Sequence, residues 1–331
     1  MLLISRSDIK KVFTMKDAIE AVKLAFMTFS EGKSDVPLRT VIQAPKYEAT
    51  FVIMPGYAAQ LDTAAVKVVN IFPKNVELEK STAPAVVTVF DGTTGEPAAI
   101  VDGTYVTQLR TGAASGAAFE LLAKKDCKKG ALIGTGGQAA CQLEAMVCAK
   151  DLEVVKVYSR NKERTQAFAQ QMNEELKAYG CLIEAANSSD EAIEDADIIV
   201  TVTPSTKPVF DGDKLKKGAT VSCVGAYQHH MQELDPKALV RADKIYFDSK
   251  EAVLSEAGDI TIPLNEGLIT EDDFTGDLGD VILGNIKGRE SEDEIIIFET
   301  VGIAVQDLIT AKAIFDIAKE KGIGTNWEAD N

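Results

Sequence analysis

A glycine-rich segment near the middle of the sequence is the first candidate for chemistry. It fits the pattern G-x-G-x-x-A, follows the apolar run ALI and precedes a stretch of helical character. Glycines in such a turn let the backbone approach a pyrophosphate, which the positive end of the next helix attracts. Because strand, turn and helix come in the required order, the segment predicts a dinucleotide site. Its candidate contacts are Gly134, Gly136, Gly137, Gln138 and Ala139.

The residues after the next apolar run, VVKVY, indicate which dinucleotide is favoured. Ser159 and Arg160 follow this run directly, and Lys162 and Arg164 come soon after. An NAD site places Asp or Glu here to bind the ribose 2′-hydroxyl, whereas a guanidinium pairs with a 2′-phosphate. The sequence therefore favours NADP(H), with NAD(H) as the alternative.

Two later strand-like runs, DIIVTVT and ATVSCVGA, contribute the rest of the predicted crevice. Ligands of parallel sheets bind outside the carboxyl ends of the strands, so the last residues of these runs are candidates. The cofactor contacts added here are Val202, Thr203, Val224 and Gly225.

Three cations stand among apolar or small residues in the first third of the chain. Arg39 follows Pro-Leu, Lys67 interrupts the run AAVKVV, and Arg110 precedes TGAASGAA. Each taken alone also fits a surface position or the open face of a sheet. Beside a dinucleotide site they suggest a clamp for a substrate carboxylate, since a guanidinium fork matches a planar carboxylate.

Composition and charge exclude several function classes. The 331 residues carry 35 basic and 51 acidic side chains, a net charge of −16, which disfavours binding to nucleic acid. The longest uncharged stretch, residues 218–232, is 15 residues, short of the roughly 20 that a membrane helix needs. The amino terminus has only four apolar residues before the first charge, so we expect no secretory signal, no membrane association and a cytoplasmic location.

Cysteine and histidine usage limits the chemistry further. The five cysteines form no CxxC pair, which argues against a disulfide framework and fits a reducing compartment. The two histidines, His229 and His230, are adjacent, so a three-histidine zinc site is excluded. No G-x-S-x-G elbow and no flavin or metal motif is present, and we predict no bound metal.

The elements that must position these residues change character along the chain. The first third combines a helix at 15–31 with β-rich runs at 50–54, 64–69 and 85–90. From residue 130, buried strands alternate with helices, which predicts an α/β fold with a Rossmann-type, doubly wound parallel sheet. An acidic stretch, which we expect to be irregular, precedes a final helix at 301–321 that can pack back on the first third.

With these residues laid out, the chain resembles the ornithine cyclodeaminase/μ-crystallin family over nearly its full length. The segments that carry the resemblance are VPLR ending at Arg39, MPG from Met54, VKVVN around Lys67, LRTGAASG around Arg110, the glycine-rich turn, VYSR ending at Arg160, ADIIVTVT, and FETVG ending at Gly302.

This resemblance implies a homodimer and hydride chemistry on α-amino or α-imino acids. It also implies a second, α+β domain for substrate binding and dimerisation, built from residues 1–115 and 300–331 around a dinucleotide domain at 116–299. Arg39 and Arg110 would hold the substrate carboxylate, with Lys67 near the reacting centre. The resemblance further adds Met54, Tyr227 and Gly302 as substrate contacts, and Thr111 and Val301 as cofactor contacts.

One departure from the family pattern favours a particular activity. Where cyclodeaminases place an aspartate that handles the migrating amino group, this chain has Tyr227, and the loop resembles that of the cyclic-ketimine reductases, except that His229 replaces their usual proline. We therefore expect an NAD(P)H-dependent reductase that converts Δ1-pyrroline-2-carboxylate to L-proline, or Δ1-piperideine-2-carboxylate to L-pipecolate. The alternatives are ornithine cyclodeaminase, alanine dehydrogenase, and a μ-crystallin-like protein that binds NADPH without turnover.

Overall fold

Backbone hydrogen bonds build two separate sheets in this chain, whose computed structural model describes residues 1–328. The first sheet belongs to a unit formed by Met1–Arg110 and the segment from Ile303 onward, and the second to a unit formed by Thr111–Gly302. The sequence placed the domain boundaries at 115/116 and 299/300, within five residues of these positions.

In chain order, the amino-terminal part contains β1 (Leu2–Ile4), α1 (Arg6–Val12), α2 (Met15–Ser30), β2 (Ser34–Asp35), β3 (Thr40–Ala44), β4 (Ala49–Ala58), β5 (Thr63–Ile71), β6 (Ala85–Asp91), β7 (Pro97–Asp102) and α3 (Gly103–Leu122). The central part contains β8 (Lys129–Ile133), α4 (Ala139–Ala149), β9 (Val154–Tyr158), α5 (Lys162–Glu175), β10 (Leu182–Ala185), α6 (Ser189–Ile193), β11 (Ile198–Thr201), β12 (Thr220–Cys223), α7 (Pro236–Val240), β13 (Lys244–Phe247), α8 (Lys250–Glu256), α9 (Gly258–Asn265), β14 (Phe274–Asp277), α10 (Leu278–Leu283) and β15 (Ile296–Glu299). The chain continues with α11 (Ala304–Glu320) and β16 (Thr325–Asn326).

The unit that contains both ends of the described chain is a mixed sheet covered by helices. Its strand order is β16-β1-β7-β6-β5-β4-β2, with β3 also paired to β4. Capping boxes at Ser5 and Thr14 satisfy backbone N–H groups and fix where α1 and α2 begin. Helix α11 packs against α2, β4 and β5, and this confirms the expectation that the last helix returns to the first third.

The unit Thr111–Gly302 is built on a parallel sheet of order β10-β9-β8-β11-β12-β15-β13-β14. Every residue of β11, β12 and β15 is buried, as the continuous apolar runs predicted. Strand order reverses beside β8, so the crevice that binds ligands in such sheets lies at the end of this strand. The predicted α/β, doubly wound fold is confirmed.

The small residues that follow Arg110 lie inside α3, where residues 109–119 are all buried. A Cβ on Gly112 would clash with the carbonyl oxygen of Cys141 in α4. The tract therefore allows α4 to pack directly on the backbone of α3, because no side chain separates them.

Two local expectations were wrong. The acidic stretch after residue 249 is regular, and it folds into three short helices and two strands, β14 and β15. Its elements are only four to eight residues long, so each is too short to show a clear periodicity among so many acidic residues. Helix α11 begins at Ala304, three residues later than expected, because Gly302 adopts a positive φ of 80° and Ile303 is extended. Among residues 1–328, no helix is long and apolar enough to cross a membrane.

Candidate active site

Lys67 lies on the buried face of its sheet. Alternate residues of β5 are buried, and Lys67 shares the covered face with Ala65 and Val69. Its side chain is 1% exposed, and Met54 is its partner across the strand pair with β4. The open-face alternative for Lys67 is therefore wrong, and this lysine needs a buried counter-charge.

Asp307 of α11 supplies that counter-charge. Its Oδ2 lies 2.5 Å from Lys67 Nζ, and its Oδ1 accepts a hydrogen bond from Arg110 Nε at 3.1 Å. Arg110 Nη1 also donates to Gln306 Oε1 at 3.4 Å, and the same oxygen accepts from the backbone N–H of Ile303. We call Lys67, Arg110 and Asp307 the charged cluster. Its side chains are at most 8% exposed, and with Lys67 in its ammonium form they carry one net positive charge together.

The charged cluster changes the proton affinity of its members. Burial, together with the positive charges of Arg110 and Arg39, lowers the pKa of Lys67 to about 7, although Asp307 acts to raise it. Burial acts to raise the pKa of Asp307, but Arg110 and Lys67 outweigh it and hold that pKa below its ordinary value. The influence of Arg39, which precedes β3, shows that this arginine is near Lys67. Met54 and, through Asp307, Arg110 thus lie beside Lys67. The role of Arg39, Met54, Lys67 and Arg110 as substrate contacts stays a prediction.

The glycine-rich turn has the geometry that a dinucleotide requires. Gly134 has a φ of 118°, and a Cβ there would meet the carbonyl oxygen of Val202 at 2.6 Å. At Gly136 and Gly137, a Cβ would meet nothing within 4 Å, so the backbone is open to a ligand. The Oε1 atom of Gln138 is buried without a hydrogen-bond partner among residues 1–328. The open backbone at Gly136 and Gly137 therefore fits a dinucleotide phosphate, just before α4 begins at Ala139.

Neighbouring side chains hold the turn in place. Thr135 donates from its hydroxyl to Ser159 Oγ at 3.2 Å, and its carbonyl oxygen accepts from Arg164 at 2.8 Å. Thr111, at the start of this unit, accepts through its carbonyl oxygen from the Gln142 amide of α4 at 3.1 Å. Arg164 thus shapes the turn itself.

Arg160 and Lys162, the other cations after β9, are exposed on the surface. They remain candidates for a 2′-phosphate.

The ends of β11 and β12 are joined by Glu233, which sequence reasoning missed. Its carboxylate accepts from the backbone N–H of Thr203 at 2.5 Å and from that of Gly225 at 2.6 Å. A Cβ on Gly225 would clash with Glu233 Oε2, so only glycine fits there. Glu233 therefore fixes the two strand ends that were predicted to line the crevice. Its only sequence signal was its place in the loop pattern M-x-E-L-D.

Behind these strand ends lies a buried carboxyl cluster formed by Glu233, Asp259 and Glu299. Burial raises the pKa of Glu233 to about 8 and that of Asp259 to about 6, and it raises the pKa of Glu299 well above its usual range. Neither carboxylate oxygen of Glu299 has a hydrogen-bond partner within residues 1–328. Cys223, Asp259 and Glu299 place potential ligand atoms within 4.8 Å of one another. The raised pKa values mean that this cluster retains protons near neutral pH.

The remaining predicted contacts belong to the unit Thr111–Gly302. Tyr227 follows β12, and its backbone N–H donates to the carbonyl oxygen of Gly225. Val301 is 8% exposed, and the N–H of Gly302 donates to Asp248 at 2.6 Å. His229 and His230 are exposed. The predicted substrate contacts therefore come from both units. Tyr227 and Gly302 lie in this unit, whereas the unit that contains the charged cluster holds Arg39, Met54, Lys67 and Arg110.

The chain is similar to known proteins over its whole length. The model of the ornithine cyclodeaminase/mu-crystallin family matches residues 1–322. A Delta(1)-pyrroline-2-carboxylate reductase of Bacillus cereus is 40% identical over 328 residues, which cover 99% of this chain and 100% of that protein. The structure of Thermococcus litoralis Delta(1)-pyrroline-2-carboxylate reductase in complex with NADH and L-proline has a TM-score of 0.94 at 39% identity, covering 99% and 100% of the two chains. An archaeal alanine dehydrogenase dimer with bound NAD has a TM-score of 0.90 at 32% identity, covering 99% of each chain.

Proposed function

Since the chain belongs to the ornithine cyclodeaminase/mu-crystallin family, we propose that it reduces cyclic imino acids with a nicotinamide cofactor. The substrate is Δ1-pyrroline-2-carboxylate, and the product is L-proline. The six-membered homologue, Δ1-piperideine-2-carboxylate, is the second candidate and would yield L-pipecolate. The observation that carries this proposal is the charged cluster, which buries two cations against one carboxylate and so leaves one positive charge for a substrate anion.

Arg110 is the principal carboxylate contact in this proposal. Asp307 and Gln306 hold its Nε and Nη1, while Nη2 has no hydrogen-bond partner in the described part of the chain. A planar substrate carboxylate accepts from such a guanidinium and from Arg39 nearby. This contact fixes the orientation of the imine ring, and orientation is most of what reduction of an activated imine needs.

Reduction adds one proton and one hydride to the C=N bond. The ring nitrogen is protonated to an iminium, and C2 accepts the hydride, so the π pair becomes the lone pair of the product amine. The reduced nicotinamide supplies the hydride when it is bound. Lys67 either donates the proton, directly or through water, or binds the substrate carboxylate. In both roles its ammonium form is the active one.

We propose NADPH as the preferred form of the cofactor. Ser159 and Arg160 follow β9 where an NAD site has a carboxylate, and the exposed Arg160 and Lys162 offer positive charge to a 2′-phosphate. The neighbouring structures hold NADH and NAD, so the assay compares NADPH with NADH directly.

A homodimer is the proposed assembly. The archaeal alanine dehydrogenase neighbour is a dimer. The unit that contains the charged cluster exposes large apolar side chains on and beside its β3–β6 strands, and exposed apolar patches of this kind mark association surfaces. They include Leu38, Val41, Ile42, Phe51, Tyr57 and Val86. The proposed compartment is the cytoplasm, because none of the five cysteines forms a disulfide.

The deciding experiment measures NADPH and NADH oxidation by the purified chain with Δ1-pyrroline-2-carboxylate. Parallel reactions contain pyruvate with ammonium, or ornithine with NAD⁺. Fast turnover of the cyclic imine alone supports the reductase. Ammonia release from ornithine would establish a cyclodeaminase despite Tyr227, and turnover of pyruvate with ammonium would establish an alanine dehydrogenase. Binding of NADPH with no turnover of any substrate would indicate a binding protein.

A further inference from the structure

The carboxylate of Asp307 touches both candidate substrate-binding cations, and no role has so far been assigned to it. We propose that Asp307 is a positioning residue that orients Lys67 and Arg110 toward the substrate and favours the ammonium form of Lys67. This inference rests on the proposed function. It adds a residue that acts through its neighbours and does not itself contact the imino acid.

The geometry of the contact supports an orienting role. Asp307 gives one oxygen to each cation: Oδ2 to Lys67 Nζ and Oδ1 to Arg110 Nε. Fixing Nε sets the plane of the guanidinium, so the direction of its terminal nitrogens follows from the position of Asp307. The side chain of Asp307 is 2% exposed, so water does not compete for either contact.

The charges around Lys67 show why a carboxylate is needed. Its strand neighbours Met54 and Val87, on β4 and β6, are apolar. Helix α3 contributes Arg110, the segment before β3 contributes Arg39, and α11 contributes Asp307. Two cations and burial therefore oppose protonation of Lys67, while Asp307 favours it. Without the negative charge of Asp307, Lys67 would lose its proton at a lower pH.

The test compares Asp307→Asn with the wild type across a kcat/KM–pH profile for Δ1-pyrroline-2-carboxylate. Activity needs the ammonium form, so the alkaline limb of the profile reports the pKa of Lys67. We expect D307N to move this limb down by about one pH unit or more. For a shift of one unit from a pKa of about 7, activity falls about ninefold at pH 8 but only about twofold at pH 6. The matched control is Asp316→Asn on the same helix. Asp316 pairs with Lys312 and is 52% exposed, so D316N should leave the limb unchanged.

A uniform loss of activity in D307N with an unmoved alkaline limb would overturn the proposal, because a purely structural role predicts that result. NADPH binding and the melting temperature check that the variant is folded. If D307N does not fold, Asp307→Glu tests the proposal instead. This variant keeps the negative charge, but its side chain is longer by one methylene group, so both contacts of the carboxylate are displaced. We expect the alkaline limb of D307E to stay at the wild-type pH and its kcat to fall about tenfold or more. A kcat equal to that of the wild type would overturn the positioning role. A wild type that does not reduce the cyclic imine refutes the proposed function itself, whatever the variants do.

Discussion

Replacing Arg110 tests the carboxylate clamp most directly. In Arg110→Ala, the substrate loses a charge-assisted hydrogen bond from the terminal guanidinium nitrogens, and Asp307 keeps Lys67 as its only cationic partner in the cluster. Arg110→Lys keeps the positive charge but lacks the planar fork that holds Asp307 and Gln306 together with a ligand. The two variants therefore separate the effect of the charge from that of the geometry.

The strength of this charge-assisted hydrogen bond sets the expected magnitude. Hydrogen bonds to charged groups contribute about 1.5–3 kcal/mol each, so loss of a carboxylate contact of ~3 kcal/mol lowers kcat/KM by about 10²-fold. We expect R110A to lose at least this much, mainly through KM, and R110K to lose roughly tenfold. Arg110 also lowers the pKa of Lys67, so R110A should move the alkaline limb upward, opposite to D307N.

The assay is steady-state NADPH oxidation at several pH values with Δ1-pyrroline-2-carboxylate. Arg6→Ala is the matched control, because Arg6 lies in the same unit but its guanidinium packs 4.8 Å over the Tyr105 ring rather than against a member of the charged cluster. Its kinetics should stay within about twofold of the wild type. If R110A has near-wild-type kinetics, or if its alkaline limb moves to lower pH, Arg110 does not bind the substrate carboxylate.

Three further predictions concern the cofactor and the buried acids. Arg160→Ala should weaken NADPH binding about tenfold more than NADH binding in fluorescence titrations, whereas Lys177→Ala should change neither; equal losses for both cofactors would refute the 2′-phosphate assignment. Because the pKa of Glu299 is raised in the folded protein, its stabilising contribution is complete at acidic pH and is lost as pH rises through that pKa. Glu299→Gln should therefore raise the melting temperature relative to wild type more at about pH 9 than at about pH 5, and a constant difference would contradict this. Gly134→Ala should lower the melting temperature by several degrees, while Gly136→Ala should melt normally but bind NADPH weakly, since only the first glycine is closely packed.

The sequence predicted the strand, turn and helix around the glycine-rich segment well because this arrangement is local. The strand, the turn and the helix are continuous in sequence, and the spacing of the glycines indicates the backbone conformation of the turn. The β-rich runs at 50–54 and 64–69 were local predictions too, and they lie within β4 and β5. These features depend on chain neighbours, so periodicity and turn residues were enough to find them.

Asp307 escaped sequence reasoning because its partner Lys67 is 240 residues away. An aspartate in the first turn of a helix is ordinarily explained by the helix dipole alone, and nothing local shows that its carboxylate is buried. Glu233, Asp259 and Glu299 were missed for a similar reason, because they come from a loop, from α9 and from β15. Asp259 and Glu299 also lie in an acidic part of the sequence, where solvent exposure is the normal interpretation. The order of the strands in the sheet could not be predicted for the same reason, since no local pattern places β15 between β12 and β13.

The discontinuous unit has a consequence for how the protein is made. Helix α11, which covers β4 and β5 and carries Asp307, is synthesised only after the whole of Thr111–Gly302. A nascent chain therefore has time to fold the second unit while the sheet of the first still lacks its cover. During that interval Lys67 has no counter-ion, and the apolar face of the sheet is open to other chains. Expression of this protein should accordingly benefit from chaperones that shield β-sheet surfaces.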